Sequence, residues 1–221
     1  MLEISIFPKA FYIGGVNVGV SVLMAWCVLA VLLVFLVVVR LCIRKFKQVP
    51  TGFQNLLEMA VDGLRGFARS HVGEQAADFV APVTMTLMCY VFFTTVVELF
   101  GLPPATEDIN CTFALGLCSF VSVNVAGVRF RGVRGRMRAL ANPIAVAAPI
   151  RVLTDMIAPC SMGIRLFANV MVGGVIMQLI YQVAPIIAPA AVASYFNVLH
   201  VGIQTFVFGL LSLIYTGEAL E

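Results

Sequence analysis

The chain has 221 residues, of which 61% are hydrophobic and only 11% are charged, with a formal net charge of +3. Soluble domains carry about 25% charged residues, so the composition excludes a soluble domain and indicates an integral membrane protein. The basic residues flank apolar runs instead of forming a continuous stripe with aromatic residues, which argues against a nucleic-acid-binding surface.

The first apolar run covers residues 18–39 and contains no charged side chain. A run of about 20 apolar residues is long enough to cross the hydrocarbon core as a helix. Four basic residues follow it closely, namely Arg40, Arg44, Lys45 and Lys47. By the positive-inside rule this end of the span lies in the cytoplasm, and the N-terminus is expected outside.

The segment over residues 52–70 has a different pattern. Its apolar residues recur at helical spacing, whereas Glu58, Asp62, Arg65 and Arg69 share the opposite side. Amphipathic helices of this kind are typical of a membrane surface, so we expect this helix to lie at the cytoplasmic interface.

Two further spans follow, over residues 79–102 and 112–128. The loop between them is acidic, rich in turn residues and free of Lys and Arg, so we expect it outside. Five arginines lie between residues 129 and 138 and predict a return to the cytoplasm. The same arginines could attract anionic lipid or a partner, although topology alone accounts for them.

The last part of the chain holds two long apolar stretches, over residues 150–183 and 192–216, joined by a proline-containing link. A helix over the first stretch is about 50 Å long, which exceeds the roughly 30 Å hydrocarbon core. We therefore expect a long, tilted two-helix hairpin. The predicted fold is a single all-α polytopic membrane domain, with about five membrane-embedded helices and one interfacial amphipathic helix.

Arg165 interrupts the first of these stretches, and no Asp, Glu, Lys or Arg follows it before Glu218. A guanidinium deep in a bilayer costs from about 3 to more than 10 kcal/mol, and arginine cannot deprotonate to avoid that cost. Ser161 and Asn169 lie one helical turn to either side, but neither can neutralise it. The charge therefore requires a carboxylate elsewhere or a water-filled cleft; the alternative is an arginine that snorkels to an interface.

A second polar stripe, formed by Asn197, His200 and Gln204, follows helical spacing in the last apolar stretch. In a hairpin this stripe faces Arg165. Histidine titrates near neutral pH and could relay protons, whereas Asn and Gln can only order water. These residues are candidates for a hydrated path; the alternative is that they form hydrogen bonds within the core.

Four segments of the chain carry a resemblance to a known family. They read SMGIRLFAN at 161–169, GFQNLLEM at 52–59, TEDINCTFAL at 106–115 and QTFVFGLLSLIY at 204–215. In this order and with this spacing, they resemble subunit a of the F-type ATP synthases, the membrane stator that carries ions past a rotor ring.

The resemblance implies a function and a site. Arg165 is then the essential stator arginine, which faces the ion-binding carboxylates of the ring between two offset aqueous half-channels, and Asn169 and Gln204 match polar positions near it. The implied partners are the c-ring, the peripheral-stalk subunit b and the lipid bilayer, with H+ or Na+ as the translocated ion. We expect no cofactor, and the chain has no GxxxxGK loop for a nucleotide. The six cysteines show no CxxC spacing, so we expect no metal site.

Three positions depart from the family pattern by lacking the glutamate or histidine that is usual there: Gly174, Asn197 and Arg151. These are half-channel positions, so the chain lacks the titratable groups of a conventional proton relay although it has the arginine. His200 and Asp155 are candidates to replace the missing titratable groups. Glu98, at the end of the second span, is a candidate for the external mouth; the alternative is a carboxylate that simply reaches the lipid headgroups.

The sequence leaves two alternatives open. A stand-alone ion channel or secondary transporter would use Arg165 to bind an anionic substrate, although no internal repeat of the kind common in transporters is visible. A divergent, poorly conducting stator is suggested by the missing half-channel groups. We expect the chain in the bacterial plasma membrane, with the mitochondrial inner membrane as the alternative.

Overall fold

The computed structural model describes residues 10–13, 16–42, 52–99, 102–141, 148–183 and 188–220. Nearly all of these residues are helical, so the predicted all-α fold is confirmed. Within these ranges, four segments are long and apolar enough to cross a membrane: Val20–Leu41, Glu74–Val97, Ile109–Gly135 and Leu199–Leu220. The chain is therefore a multi-pass membrane protein.

The helices are α1 (Val20–Cys42), α2 (Phe53–Val72), α3 (Glu74–Leu99), α4 (Ile109–Ala141), α5 (Ala148–Val183) and α6 (Ala188–Leu220). A 3-10 turn, Ala105–Glu107, precedes α4. A short antiparallel hairpin of β1 (Ala10–Ile13) and β2 (Val16–Gly19) precedes α1. This hairpin is not among the elements predicted above. The sequence contains a signal for it, because two glycines between β-prone runs are typical of a two-residue hairpin loop.

α4 differs from the span expected at its position, whereas α5 does not. α4 extends well past the expected span of 112–128 and is kinked at Gly132, where φ is 71°. Glycine adopts a positive φ without steric cost, so the chain can change direction at this residue. α5 covers the whole of the expected stretch 150–183 and begins two residues before it.

α1 contacts the other helices along a narrow seam. Val28 and Leu32, one turn apart, are 2% and 4% exposed, whereas Trp26 is 66% exposed. Phe35 packs on Phe93 of α3, with ring centroids 5.2 Å apart. The remaining apolar surface of α1 suits a lipid environment, in which exposed apolar side chains carry no cost.

α3, α4 and α6 pack on one another, and α5 packs most extensively against α4. A buried cluster that includes Ala77 and Leu213 joins α3 to α6. Between α4 and α6, the Ser119 hydroxyl donates a hydrogen bond of 3.1 Å to the Ser212 hydroxyl. A buried hydroxyl pair satisfies polar atoms that lipid cannot, so this bond helps to hold the two helices together.

A tight turn at Gly73, where φ is 82°, connects α2 to α3, and α2 packs against both α3 and α6. Across the turn, the guanidinium of Arg65 donates hydrogen bonds of 2.6 and 2.9 Å to Asp78. Ala68 is fully buried, but Leu56 and Met59 are each 62% exposed. Part of the apolar side of α2 therefore remains uncovered, and its position at the cytoplasmic interface stays a prediction.

α4 and α5 approach closely at Gly163. A Cβ atom on this residue would lie 3.1 Å from the carbonyl oxygen of Thr112 and 3.3 Å from backbone atoms of Phe113, in the first turn of α4. From Gly163, α5 continues to Val183, about 30 Å further at the helical rise. Because α4 begins only at Ile109, the second half of α5 extends past the beginning of α4.

We predict that Gly163→Ala lowers the free energy of unfolding by about 1–3 kcal/mol, because the added methyl group meets backbone atoms and not a mobile side chain. Gly174→Ala is the matched control, since no atom lies within 4 Å of a Cβ at that position. This control should be neutral or stabilise by about 0.5–1 kcal/mol. Denaturation in mixed detergent micelles, followed by circular dichroism, measures both values. Equal effects of the two substitutions would contradict close packing at Gly163.

Candidate functional site

Arg165 lies on the border between an exposed and a buried face of α5, and its own side chain is half-buried. On one side of it, Ile164 and Val172 are 51% and 54% exposed. On the other side, Met162 and Leu166 are only 3% and 2% exposed. With 3.6 residues per turn, this arrangement leaves the guanidinium accessible from the exposed face while its helix stays anchored on the other.

Among the residues that the structure describes, no carboxylate oxygen lies within 4 Å of the Arg165 guanidinium, so none of them neutralises its charge. The ion pair that occurs among those residues joins Arg65 to Asp78, at the junction of α2 and α3. Arginine stays protonated in proteins. A half-buried guanidinium in an apolar stretch therefore needs water or a counter-charge from beyond these residues.

Asn169, one turn after Arg165, links α5 to α6. Its Nδ2 atom donates a hydrogen bond of 2.7 Å to Oε1 of Gln204. Gln204 is 4% exposed, so the bond is largely screened from competing solvent. The two polar stripes are expected to face each other, and Asn169 and Gln204 do so. The geometry leaves Oδ1 of Asn169 and Nε2 of Gln204 free to bind water, because the hydrogen bond uses neither atom.

A buried apolar cluster fixes the helices around this polar group. It combines side chains of α3, α4, α5 and α6: Val91, Leu115, Met162, Leu166 and Phe208. All five are less than 9% exposed. Since Met162 and Leu166 flank Arg165 along the helix, their burial sets the direction in which the guanidinium points.

The other predicted site residues are only partly located. Ser161 and His200 are half-buried on α5 and α6. Glu98, Asp155 and Asn197 fall in helices α3, α5 and α6, but their side chains lie outside the part of the structure that is described. The same holds for Arg151 on α5.

Three positions depart from the family pattern, and the structure describes the surroundings of one of them, Gly174. It is exposed, and no atom lies within 4 Å of a Cβ placed there. Among the described residues, no side chain occupies the space beside Gly174.

Two structural features were not predicted from the sequence: the Ser119–Ser212 hydrogen bond and the close approach of α4 at Gly163. The Ser119–Ser212 hydrogen bond joins residues far apart in the chain, and isolated serines in apolar helices give no signal of pairing. Gly163 lies inside the SMGIRLFAN segment, two residues before Arg165. A glycine in a membrane helix often marks a close helix contact, so this position could have been found from the sequence.

Comparison with known proteins agrees with the resemblance noted from the four segments. The family model described as "ATP synthase A chain" matches residues 22–217, from α1 to α6. The ATP synthase subunit a of Mycobacterium marinum is 32% identical over 189 residues, which cover 78% of this chain and 76% of that protein. The ATP synthase subunit a of Mycobacterium ulcerans is 31% identical, with the same coverage of both chains.

We predict that the Asn169–Gln204 hydrogen bond couples the two helices energetically. In a double-mutant cycle with Asn169→Ala and Gln204→Ala, the interaction energy should be about 0.5–1.5 kcal/mol, the range for hydrogen bonds between membrane helices. Denaturation in mixed micelles measures the unfolding free energy of each variant. As a control, Asn169→Ala and Ser119→Ala should be additive, because the two side chains share no partner. Additivity of the Asn169 and Gln204 substitutions would show that the bond contributes nothing.

Proposed function

The chain belongs to the ATP synthase A chain family, and from this we propose that it is the membrane stator subunit of a rotary ATP synthase. In this role it forms two ion half-channels and couples ion translocation to rotation of the c-ring, and thereby to ATP synthesis elsewhere in the complex. The translocated ion is H+ or Na+, since its selectivity depends chiefly on the rotor site.

The observation that carries this proposal is the charge of Arg165, which has no carboxylate within 4 Å among the described residues and lies beside an exposed apolar face. Ile164 and Val172 leave that face open to a neighbouring protein surface. A carboxylate on a ring subunit would supply the missing counter-charge. At about 4 Å and an effective dielectric constant of about 20, two unit charges attract by about 4 kcal/mol. This attraction holds a deprotonated carboxylate and disappears when the carboxylate is protonated, so the carboxylate can then leave.

Arg165 also separates the two half-channels in this proposal. A fixed positive charge repels cations, so ions cannot pass directly from one half-channel to the other and must travel on the ring. The charge is permanent, because arginine stays protonated throughout the rotary cycle. The family's requirement for an arginine at this position follows from these two properties together.

Asn169 and Gln204 support this function in two ways. Their hydrogen bond of 2.7 Å keeps α5 and α6 in register, and the register sets the height of Arg165 in the membrane. The amide atoms left over by that bond can order water beside the guanidinium. Ser161 adds a hydroxyl one turn on the other side of Arg165.

The ion path uses the remaining polar residues as follows. His200 lies one turn before Gln204 on α6, and an imidazole can both accept and donate a proton. Asp155 and Glu98 provide carboxylates toward the two membrane surfaces, and Asn197 orders water. His200 and Asp155 take the place of the titratable groups that the family usually has at other positions.

The partners in this proposal are the c-ring on the exposed face of α5, the peripheral-stalk subunit b and the surrounding lipid. The membrane is the bacterial plasma membrane, because both relatives named above are bacterial. Family membership argues against the stand-alone channel or transporter as the function of this chain.

A poorly conducting stator is a second candidate function, and one observation favours it. No side chain of the described residues fills the space beside Gly174, although the family usually has a titratable group at this position. If no other residue replaces that group, protons reach Arg165 slowly. The two candidates differ in the rate of ion flux through the assembled complex.

We predict that Arg165→Ala abolishes ion pumping, with a loss of at least about 100-fold, because removing one member of a buried charge pair costs about 3–5 kcal/mol. ATP-driven ion uptake by inside-out vesicles that contain the complete complex measures this loss. In vesicles stripped of the catalytic head, passive ion leak should rise, because the barrier between the half-channels is gone.

Arg69→Ala is the control for Arg165→Ala, since Arg69 is an exposed arginine on α2. It should change neither ATP-driven uptake nor passive leak. Normal pumping by Arg165→Ala would overturn the stator role of Arg165, whereas a low flux in the unmodified complex would favour the poorly conducting stator.

His200 and His71 are the two histidines of the chain and offer a matched comparison. We predict that His200→Gln slows proton pumping by at least about 100-fold, the lower end of the usual contribution of a positioned acid–base group. His71→Gln should leave pumping unchanged, because this ring lies at the end of α2, near the backbone oxygen of Phe67. Equal pumping rates in vesicles carrying either variant would exclude His200 from the proton path.

A further inference from the structure

The end of α4 is a short basic helix that departs from the axis of the preceding span. Gly132 has φ 71° and ψ 162°, values that no helical residue adopts, so residues 133–141 form a separate helical segment. The first charged residue of α4 is Arg129, so the basic segment follows directly on the apolar part of the helix.

The sequence of residues 133–141 has an amphipathic pattern. Val133, Met137 and Leu140 recur at helical spacing and form one narrow apolar stripe. Arg134, Arg136 and Arg138 fall on both flanks of that stripe. Val133, at the start of the stripe, is 61% exposed, so the other helices do not cover it.

The positive charge at this end of α4 is not compensated within the described helices. Arg129 packs its guanidinium over the ring of Phe79, 4.8 Å from the centroid. Arg131 and Arg134 are exposed, and none of the carboxylates described lies within 4 Å of either. Asp78, which precedes Phe79 on α3, already pairs with Arg65.

We propose that residues 133–141 lie flat on the cytoplasmic surface of the membrane and bind the phosphate groups of anionic phospholipids. The apolar stripe enters the boundary of the acyl chains, and the flanking guanidinium groups reach the phosphates above it. Arginine suits this task because its planar fork donates two hydrogen bonds to one phosphate. The kink at Gly132 is what allows the helix to change from crossing the membrane to lying along it.

A lipid fits this surface better than a protein does. Three apolar side chains on a short helix bury far less than the roughly 800 Å² that each partner contributes to a stable protein interface. Clusters of four or more basic residues just cytoplasmic to a span are typical of anionic-lipid binding, and five arginines lie between residues 129 and 138. The proposal does not depend on the stator function, because it requires only that α4 crosses the membrane.

Photocross-linking tests this proposal in the complete complex, reconstituted in vesicles of phosphatidylglycerol and phosphatidylethanolamine. With p-benzoylphenylalanine in place of Val133, the lipid adducts should contain phosphatidylglycerol at more than ten times its share of the membrane, since each arginine adds attraction to an anionic surface. High salt should reduce this enrichment. Mass spectrometry of the isolated chain identifies the adducts.

Three variants serve as controls. Replacing the three arginines by glutamine (Arg134→Gln, Arg136→Gln and Arg138→Gln together) should bring the adducts to the bulk composition, and replacing them by lysine should keep most of the enrichment. The same photoprobe in place of Val31, which is 53% exposed on α1, should report the bulk composition. Adducts at Val133 that match the bulk lipid, or that contain a peptide of another subunit, would overturn the proposal.

Discussion

A permanent positive charge inside an apolar helix is the constraint on which the rest of this structure depends. Arg165 cannot deprotonate, and a guanidinium in hydrocarbon costs several kcal/mol or more. No carboxylate of the described helices approaches it within 4 Å. Arg165 therefore needs water or a counter-charge from beyond these helices, and its place on the border of the exposed face of α5 leaves it accessible to either.

Three contacts keep this border in place. The buried cluster that contains Met162 and Leu166 holds one side of α5 against its neighbours. Gly163 allows the backbone of α4 to come close on that same side. The Asn169–Gln204 hydrogen bond then ties α5 to α6 one turn beyond the arginine. Because well-packed cores do not deform continuously, these contacts fix both the height and the direction of the charge.

The sequence predicts those features that depend on local pattern or on an unusual residue. Hydropathy and charge placement indicate the helices, and the isolation of Arg165 indicates the candidate site. The Asn169–Gln204 contact follows from two polar stripes in a hairpin. By contrast, the Ser119–Ser212 bond and the approach of Gly163 to Thr112 depend on how distant helices pack, which periodicity does not encode. The kink at Gly132 lies in an arginine-rich stretch where charge, not backbone conformation, dominates the pattern.

Disulfide cross-linking to the ring tests most directly whether the exposed face of α5 meets the rotor. Val172 lies on that face and is 54% exposed, whereas Val170, on the buried face of the same helix, is 8% exposed. With a cysteine placed beside the ion-binding carboxylate of the ring subunit, Val172→Cys should form a disulfide that stops ATP-driven rotation until it is reduced. Val170→Cys should form none. Absence of a cross-link from Val172→Cys, or an equal yield from both positions, would contradict a rotor carboxylate as the partner of Arg165.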